Sequence, residues 1–332
     1  MEPEDKLRRS GVGLARLSII IPVYNGAKTI GPLVSRLHEE LARRYELEVV
    51  LVNDCSPRDD SEKVCRQLCR KYRGSVSFVN LSKNFGEHNA VMAGLRYCTG
   101  DAAVIMDDDF QNPPGEVIKL VEKLSEGYDV VYSCYEKKQH HWFRNLGSRF
   151  NNFVASVMLG KPKGLYLSSF KVINRFLVGE VSRYDGPYPY IDGLILRVTR
   201  KYATVLVGHD PREEGRSGYN LHKLISLWLN MFTNFSILPL RVASIGGVLF
   251  ALLGFAFALF VIVEKLADPT IPVGWTSTVC IILVVAGVQL IALGMIGEYL
   301  GRLFLKDNGS PQYVVREFIP IERESFDEKR GE

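Results

Sequence analysis

The sequence has few cysteines, and their spacing assigns them no special role. Its six cysteines are scattered without a C-x-x-C pair, which argues against the common zinc and disulfide-exchange motifs. We expect reduced thiols that face a cytosol, with Cys65 and Cys69 packed on one helix face. The formal net charge of +4 is small, and no basic tail with interleaved aromatic residues occurs. Nucleic acid is therefore not an expected partner.

Two further absences concern the N-terminal part of the chain. The first residues, MEPEDKLRRSGVGLARL, are charged and lack the apolar core of a signal peptide. We therefore expect residues 1–16 to form a polar tail in the cytoplasm. The first apolar run continues into PVYNGAKT and not into G-x-G-x-x-G, which argues against a nicotinamide-dependent enzyme.

Apolar β-rich runs alternate with helical periodicity over the first 135 residues. Spacing of i, i+3, i+4 and i+7 predicts one helix from Ile30 to Leu41 and another from Val117 to Leu124. The candidate strands are residues 17–23, 47–54, 76–82, 101–108 and 128–135. This alternation predicts an α/β fold with an open, mostly parallel sheet, helices on both faces and ligands at the carboxyl ends of the strands.

Carboxylates stand where two of the predicted strands end. Asp54 ends the second strand, and the run Asp107, Asp108 and Asp109 ends the fourth. On an extended strand end Asp107 and Asp109 point the same way, while Asp108 points to the other face. Two such carboxylates suit Mg²⁺ or Mn²⁺, ions that also bind substrate phosphates. The pair therefore indicates a cation site for a diphosphate leaving group, although D-x-D taken alone is a weak signal.

Two amphipathic segments follow the predicted sheet. Residues 137–163 carry basic side chains with no Asp or Glu, and their apolar residues repeat at helical spacing over 141–159. Such a helix suits an anionic membrane surface, and a helix packed on the domain with solvated charges is the alternative. Residues 221–239, which include Trp228, predict a second helix at the membrane interface.

Two uncharged stretches near the C-terminus have the length of membrane spans. Residues 242–263 and 275–296 comprise 22 residues each, which is about 33 Å of helix and matches the hydrocarbon core. Because only eleven residues separate them, we expect 240–304 to form a transmembrane hairpin, and two buried helices of a soluble domain are the alternative. The distribution of Lys and Arg places the domain 17–220 and the tail 305–332 in the cytoplasm.

Glycines recur along the second stretch and directly after it. Gly287, Gly294 and Gly301 are seven residues apart, which permits close approach of helices. The pattern is compatible with a homo-oligomer and equally with packing inside one protomer.

Five motifs together resemble those of family 2 glycosyltransferases of the polyprenyl-phosphate type. They are SIIIPVYNGAKTI (18–30), VLVNDCSPRDDS (50–61), NFGEHNAVMAGL (84–95), DDDFQNPP (107–114) and GMIGEYLGRLF (294–304). The resemblance covers nearly the whole chain in order. It implies a GT-A domain with a Rossmann-like sheet, a nucleotide-sugar donor with a UDP-sugar favoured, Mg²⁺ or Mn²⁺, and inverting transfer onto a polyprenyl phosphate such as undecaprenyl phosphate.

The same resemblance implies a place in the cell. It suggests a multi-pass protein of the bacterial cytoplasmic membrane that acts in cell-envelope glycan or lipid modification. Relatives of this type often form tetramers, so the lipid bilayer and a second copy of the chain are expected partners.

The resemblance also assigns roles around the donor. Pro22, Tyr24 and Asn25 match the first nucleotide loop, and Asp54 matches an acidic residue of the base and ribose site. Simpler readings exist, because Asn25 with the following glycine makes a turn and Asp54 is a possible helix N-cap.

The resemblance implies that the D-x-D motif binds the donor diphosphate. Asp107 and Asp109 match the metal and diphosphate motif, with Asp108 beside them at the donor. Gln111 matches the glutamine that follows the motif, and these residues are the candidate catalytic group together with Arg212.

A basic set is the candidate for the acceptor phosphate. Arg212 and Ser217, in HDPREEGRSGY, resemble an R-x-x-G-x-S stretch near the donor diphosphate and the acceptor phosphate. Arg144, Arg149 and Lys161 are further candidates for the same phosphate clamp, and the sequence does not choose among them.

The chain departs from the family pattern at two places. Asn53 stands where relatives often have a second base-site aspartate, and Leu165 stands where relatives have an aspartate often proposed as catalytic. A polyprenyl phosphate is already anionic at neutral pH and attacks without losing a proton, so the acceptor needs positioning more than a base. Alternatively, Ser168, Ser169 or Asp192 takes over part of the missing role.

Two competing functions remain at this point. A processive polysaccharide synthase of the same superfamily normally has a Q-x-x-R-W motif and more membrane spans, and this sequence has neither. A degenerate membrane partner that binds nucleotide sugar without turnover is suggested by Asn53 and Leu165, whereas the intact Asp107, Asp109 and Gln111 argue against it.

Overall fold

The computed structural model describes residues 15–135, 162, 165–208, 238–267 and 274–322. The chain divides into two compact units, one formed by Met1–Gly218 with Pro311–Glu332 and the other by Tyr219–Ser310. The predicted basic helix (141–159) and most of the predicted interfacial helix (221–239) lie outside the described residues.

An eight-stranded mixed sheet forms the first unit. Its strands are β1 (Arg16–Val23), β2 (Glu46–Asn53), β3 (Val76–Leu81), β4 (Ala102–Ile105), β5 (Val130–Cys134), β6 (Lys171–Asn174), β7 (Tyr202–Leu206) and β8 (Val315–Ile319). They lie in the order β7-β5-β6-β4-β1-β2-β3-β8. All five predicted strands are present, and the α/β fold class is confirmed.

The sheet is more mixed than the sequence predicts. β1 is parallel to β2 and β4, β2 is parallel to β3, and β5 is parallel to β7. β6 runs antiparallel to both β4 and β5, and β8 runs antiparallel to β3. The βα alternation that predicts parallel pairing stops after β5, so the later strands are free to pair in the antiparallel direction.

Six helices accompany the sheet within the described residues of this unit. They are α1 (Ile30–Leu41), α2 (Ser61–Lys71), α3 (Glu87–Tyr97), α4 (Glu116–Leu124), α5 (Arg175–Ser182) and α6 (Ile191–Val198). The periodic apolar residues of α1 and α4 are the ones buried, as predicted. Ile19, Ile20 and Ile21 of β1 are fully buried, which shows that both faces of the central sheet are covered.

A strand from the C-terminal segment completes one edge of the sheet. β8 pairs with β3, and the ring of Phe318 lies 4.3 Å from the ring of Tyr97 on α3. The expected tail (305–332) therefore contains a strand that the sequence pattern does not indicate. Through β8 the chain that follows the second unit becomes part of the first.

The second unit contains two long helices, α7 (Leu238–Ala267) and α8 (Trp275–Asp307). They include the two predicted spans, 242–263 and 275–296. Among the described residues one segment, Val284–Asp307, is long and apolar enough to cross a bilayer, with a mean hydropathy of 1.6. The apolar segment of α7, Ala243–Phe257, is shorter. Two helices are thus present where the hairpin is predicted, but helix length and composition support one crossing and do not confirm the two-helix transmembrane hairpin.

Candidate active site

The carboxyl ends of β1, β2 and β4 carry most of the predicted site residues. Each end is followed by a non-glycine residue with a left-handed backbone: Asn25 (φ 56°), Cys55 (φ 51°) and Phe110 (φ 61°). This conformation is uncommon outside glycine and concentrates at functional sites. Three strained turns at one edge of a sheet mark that edge as the candidate active site.

Hydrogen bonds join the loops that follow β1 and β2. The backbone N–H of Asn25 donates to Ser56 Oγ at 2.9 Å, and the backbone N–H of Arg58 donates to Asn25 Oδ1 at 3.1 Å. Asn25 is therefore a structural link between the two loops, which supports its reading as a turn residue. Tyr24 is exposed beside it, whereas Pro22 lies within β1 opposite Val52.

Asp54 fixes a third loop. Its two carboxylate oxygens accept hydrogen bonds from the backbone N–H groups of Phe85 (2.7 Å) and Gly86 (2.8 Å). Burial raises the pKa of Asp54, while these two hydrogen bonds act in the opposite direction. Asp54 does not cap the next helix, because α2 begins at Ser61. Its visible role is to hold the start of α3, and a role at the nucleotide base stays a prediction.

Asn53 is turned inward. It is 1% exposed, and its Nδ2 donates to Asn80 Oδ1 at 2.8 Å. Its Oδ1 accepts from Ser56 Oγ at 2.7 Å. The amide at this position therefore joins β2 to β3 and supports the loop that Asn25 contacts.

The D-x-D carboxylates turn to different neighbours. Ser169 Oγ donates to Asp107 Oδ2 at 2.7 Å, and the backbone N–H of Gln111 donates to Asp109 Oδ1 at 3.2 Å. Asp108 lies against the first loop, where a Cβ added to Gly26 would come within 2.1 Å of Asp108 Oδ2. Among the described residues Asp108 Oδ2 is buried without a hydrogen-bond partner.

The charge of these carboxylates is poorly compensated. Burial, followed by the charges of Asp107 and Asp109, raises the pKa of Asp108 to about 7. Burial also raises the pKa of Asp107, followed by the effect of the Glu87 charge. An orphaned oxygen beside mutually repelling carboxylates fits a divalent cation.

The described residues do not complete such a cation site by themselves. No group of three or more His, Cys, Asp or Glu side chains is arranged to hold a metal ion within the part of the chain that the structure describes. One or two carboxylates together with substrate phosphates are a common set of Mg²⁺ ligands. The residues present therefore fit a cation that binds together with a diphosphate.

An ion pair that sequence reasoning missed lies next to the D-x-D motif. The Lys171 ammonium binds the Asp192 carboxylate, and both residues are buried. Lys171 Nζ also lies 5.4 Å from the centroid of the Tyr132 ring. Asp192 figures in the sequence only as one substitute for the missing base, and Lys171 stands more than twenty positions away from it, so no local pattern reveals the pair.

Other partners line the same region. The ring of His88, in the first turn of α3, meets the ring of Tyr190 edge-on at 5.1 Å. Burial lowers the pKa of His88 to about 4, so the imidazole is neutral at physiological pH. Ser133 Oγ donates to Ser168 Oγ at 2.7 Å, and Tyr135 donates to Asn112 Oδ1 at 2.7 Å.

The position of the absent aspartate is apolar and enclosed. Leu165 is 4% exposed, and its backbone N–H donates to the carbonyl of Pro162 at 3.3 Å. Of the proposed substitutes, Ser169 contacts Asp107, Asp192 contacts Lys171, and Ser168 belongs to the serine and tyrosine network. Of these three, Ser169 is the residue with a described hydrogen bond to the D-x-D motif.

The candidate residues for the acceptor lie outside the described residues. They are Arg144, Arg149, Lys161, Arg212 and Ser217. Their assignment stays a prediction.

Comparisons with known proteins place the chain in a family. The sequence profile described as Glycosyl transferase family 2 matches residues 18–181. The undecaprenyl-phosphate 4-deoxy-4-formamido-L-arabinose transferase of Sodalis glossinidius (strain morsitans) is 34% identical over 306 residues, which cover 91% of this chain and 93% of that protein. The protein of the same name from Klebsiella pneumoniae (strain 342) is 33% identical over 309 residues, 92% of this chain and 94% of that protein.

Solved structures share the fold. The glucosyl-3-phosphoglycerate synthase of Mycobacterium tuberculosis superposes with a TM-score of 0.51 at 18% identity, over 70% of this chain and 83% of that one. The same enzyme in complex with Mn²⁺ and UDP-glucose gives a TM-score of 0.50 at 20% identity, over 69% and 80% of the two chains. These likenesses confirm a GT-A-like mixed α/β fold. With relatives that match over more than nine-tenths of its length, the chain belongs to glycosyl transferase family 2 and is a glycosyltransferase.

Proposed function

We propose that this glycosyltransferase moves a sugar from a nucleotide-diphosphate donor, with a UDP-sugar favoured, to a polyprenyl phosphate, with inversion at the anomeric carbon. The observation that carries the proposal is the D-x-D motif, whose poorly compensated carboxylates stand at the same strand edge as the loops of Asn25 and Asp54. The names of the relatives, which act on undecaprenyl phosphate, support the acceptor.

Asp107 and Asp109 would hold the divalent cation, Mg²⁺ or Mn²⁺. When bound, the cation neutralises charge on the leaving diphosphate. The Ser169 hydroxyl orients Asp107, and the Gln111 backbone N–H orients Asp109. The M. tuberculosis enzyme, solved with Mn²⁺ and UDP-glucose, supports a donor and cation of this class.

The acceptor end of the site needs no general base in this proposal. A phosphate monoester is anionic at neutral pH, so its oxygen attacks the anomeric carbon without first losing a proton. A buried leucine at position 165 is compatible with such an acceptor, whereas a sugar hydroxyl would need a base near it. Arg144, Arg149, Lys161, Arg212 and Ser217 are the proposed contacts of the acceptor phosphate.

The membrane location is part of the proposal. α7 and α8 expose large apolar side chains such as Leu253 (68%), Phe255 (72%) and Leu290 (69%), which water solvates poorly. We infer that both helices cross the bilayer of the bacterial cytoplasmic membrane as a hairpin, with the catalytic unit and both termini in the cytoplasm. The spaced glycines of α8 would allow a homo-oligomer.

Transfer by the purified full-length protein tests the proposal. A panel of labelled nucleotide sugars is offered with undecaprenyl phosphate and Mg²⁺ or Mn²⁺, and the lipid product is extracted. We expect label in the lipid phase from one donor, and loss of that label in Asp109→Asn. Metal-dependent nucleotide binding without transfer from any donor would instead identify a non-catalytic partner that binds nucleotide sugar.

A further inference from the structure

The buried ion pair of Lys171 and Asp192 has no role in the reaction described above. Only 3% and 7% of the two residues are exposed. Lys171 begins β6, where it pairs in register with Ile105 at the end of β4, and Asp192 lies in the first turn of α6. The ion pair therefore stands at the carboxyl end of β4, beside the strand that leads into Asp107.

One short segment connects the ion pair to the D-x-D motif. Ser169, two residues before Lys171, donates to Asp107 Oδ2 at 2.7 Å. Lys171 itself binds Asp192. The first residue of the segment 169–171 thus binds a carboxylate that is proposed to bind the cation. Its last residue binds Asp192 at the start of α6.

The other partner connects the ion pair to the opposite loop. Tyr190, two residues before Asp192, meets the His88 ring edge-on at 5.1 Å. His88 is in the first turn of α3, directly after the Phe85 and Gly86 backbone groups that Asp54 holds. Through these contacts the ion pair connects the D-x-D motif to the start of α3.

Energetics favour a role beyond packing. Burying two charges removes them from water, which costs free energy. A well-packed apolar pair of the same size often gives equal or better stability. The Lys171 charge is also felt by Asp107 and Glu87, so it offsets part of the repulsion among these carboxylates. A fold that needed only packing here has no need of the charges.

We propose that Lys171 and Asp192 are a positioning pair for glycosyl transfer, which sets the distance between the D-x-D motif and the start of α3 that a bound donor requires. The inference rests on the proposed function, because the donor is taken to be a nucleotide sugar with a divalent cation. Neither residue is a catalytic residue, since each acts through Ser169, Tyr190 and the elements that carry them.

An apolar double variant of the full-length protein separates positioning from stability. In Lys171→Met alone the Asp192 charge is left buried and unpaired, so the melting temperature should fall. Adding Asp192→Leu removes that charge, and we expect the melting temperature to recover. We expect turnover of the double variant at saturating donor to stay at least tenfold below wild type. Recovery of turnover to within tenfold, together with the melting temperature, would show that the pair is only structural.

A matched control and a second variant complete the experiment. Arg36→Met with Glu40→Leu removes a solvent-accessible ion pair on α1 and should leave turnover unchanged. If the apolar variant does not fold, Lys171→Asp with Asp192→Lys replaces it and keeps an ion pair with exchanged charges. Turnover at least tenfold below wild type again supports a positioning pair, and turnover within tenfold of wild type overturns it.

A readout that does not need activity distinguishes this inference from the proposed function. If wild type transfers no sugar, the proposed function fails, and the Mn²⁺-dependent affinity for UDP decides the inference. A tenfold or greater loss of that affinity in the double variant supports a positioning pair, and a smaller loss overturns it.

Discussion

At the scale of single residues, the contact between Gly26 and Asp108 gives a direct test of the first loop. Gly26→Ala would place a methyl group 2.1 Å from Asp108 Oδ2, so the carboxylate must move. We expect a loss of about 1–3 kcal/mol in the free energy of unfolding, together with weaker Mn²⁺-dependent UDP binding. Denaturant unfolding and a binding titration measure the two effects.

Gly31→Ala is the matched control for this substitution. A Cβ at Gly31, in the first turn of α1, meets nothing within 4 Å. We expect this variant to gain about 0.5–1 kcal/mol because alanine favours a helix. Equal stability changes in the two variants would show that the contact with Asp108 does not matter.

Asn53 provides a second residue-scale prediction. Asn80 accepts from Asn53 and also donates a hydrogen bond to Glu62, so its amide cannot turn over without losing one partner. Asn53→Asp would set a carboxylate against the Asn80 carbonyl oxygen. We expect a loss of about 1–3 kcal/mol in thermal or denaturant unfolding. An unchanged unfolding curve would contradict the proposed hydrogen-bond network.

The raised pKa of Asp108 implies a pH dependence of the metal-free protein. The folded state keeps a proton on Asp108 up to a pKa of about 7, whereas the unfolded state releases it near the ordinary value of 3.8. Where the folded state binds more protons than the unfolded state, the free energy of unfolding falls as pH rises. The ionisation of Asp108 should therefore lower stability between pH 3.8 and about 7. With a chelator present, we expect wild type to lose more stability over this window than Asp108→Asn. Parallel pH profiles of the two proteins would refute the assignment.

The sequence predicts the chemistry of these residues better than their contacts. A carboxylate pair after a buried strand identifies the D-x-D motif, because residue type and position both follow from the local pattern. The hydrogen bonds of Asp54 to Phe85 and Gly86 cross about thirty residues of chain, and the Lys171 pair joins β6 to α6. Such partners depend on how distant elements pack, and periodicity carries no information on that.

At the scale of elements, strong periodicity is the reason for the successes. α1, α4 and the five predicted strands have long apolar patterns, and each appears within a few residues of its predicted bounds. β6, β7 and β8 are four or five residues long, as β4 and β5 are, but they come after the strand–helix alternation has stopped. Short strands of this kind take their conformation from their neighbours in the sheet.

The docking of β8 is testable through its ion pair. Glu317 binds Arg66, which also binds Glu62 at 2.7 Å, and these acidic partners raise the pKa of Arg66. Glu317→Arg would bring two guanidinium groups together, so we expect a loss of about 1 kcal/mol and faster proteolysis of the segment 311–322. Limited proteolysis followed by mass spectrometry measures the cleavage sites.

Glu322→Arg is the control on the same segment. Its pair with Arg73 is longer, 3.4 Å, and both side chains are well exposed. We expect little change in stability or cleavage from this variant. If both variants are cleaved alike, the Glu317 ion pair does not hold β8 in place.

At the scale of the whole molecule, two features determine what kind of acceptor the enzyme takes. In the proposed function, the sheet edge provides a site for a cation and a diphosphate. The place of the family aspartate is occupied by the buried Leu165, and two long apolar helices accompany the catalytic unit. Together they favour an acceptor that is lipid-borne and already ionised.

The most direct test of this claim is a comparison of two acceptors with the donor identified by the panel. Undecaprenyl phosphate and undecaprenol share the same lipid and differ only in the phosphate, which removes the need for a base. We expect the full-length protein to label undecaprenyl phosphate and not undecaprenol. Comparable labelling of undecaprenol would contradict the account, because a hydroxyl acceptor requires a general base that Leu165 cannot supply.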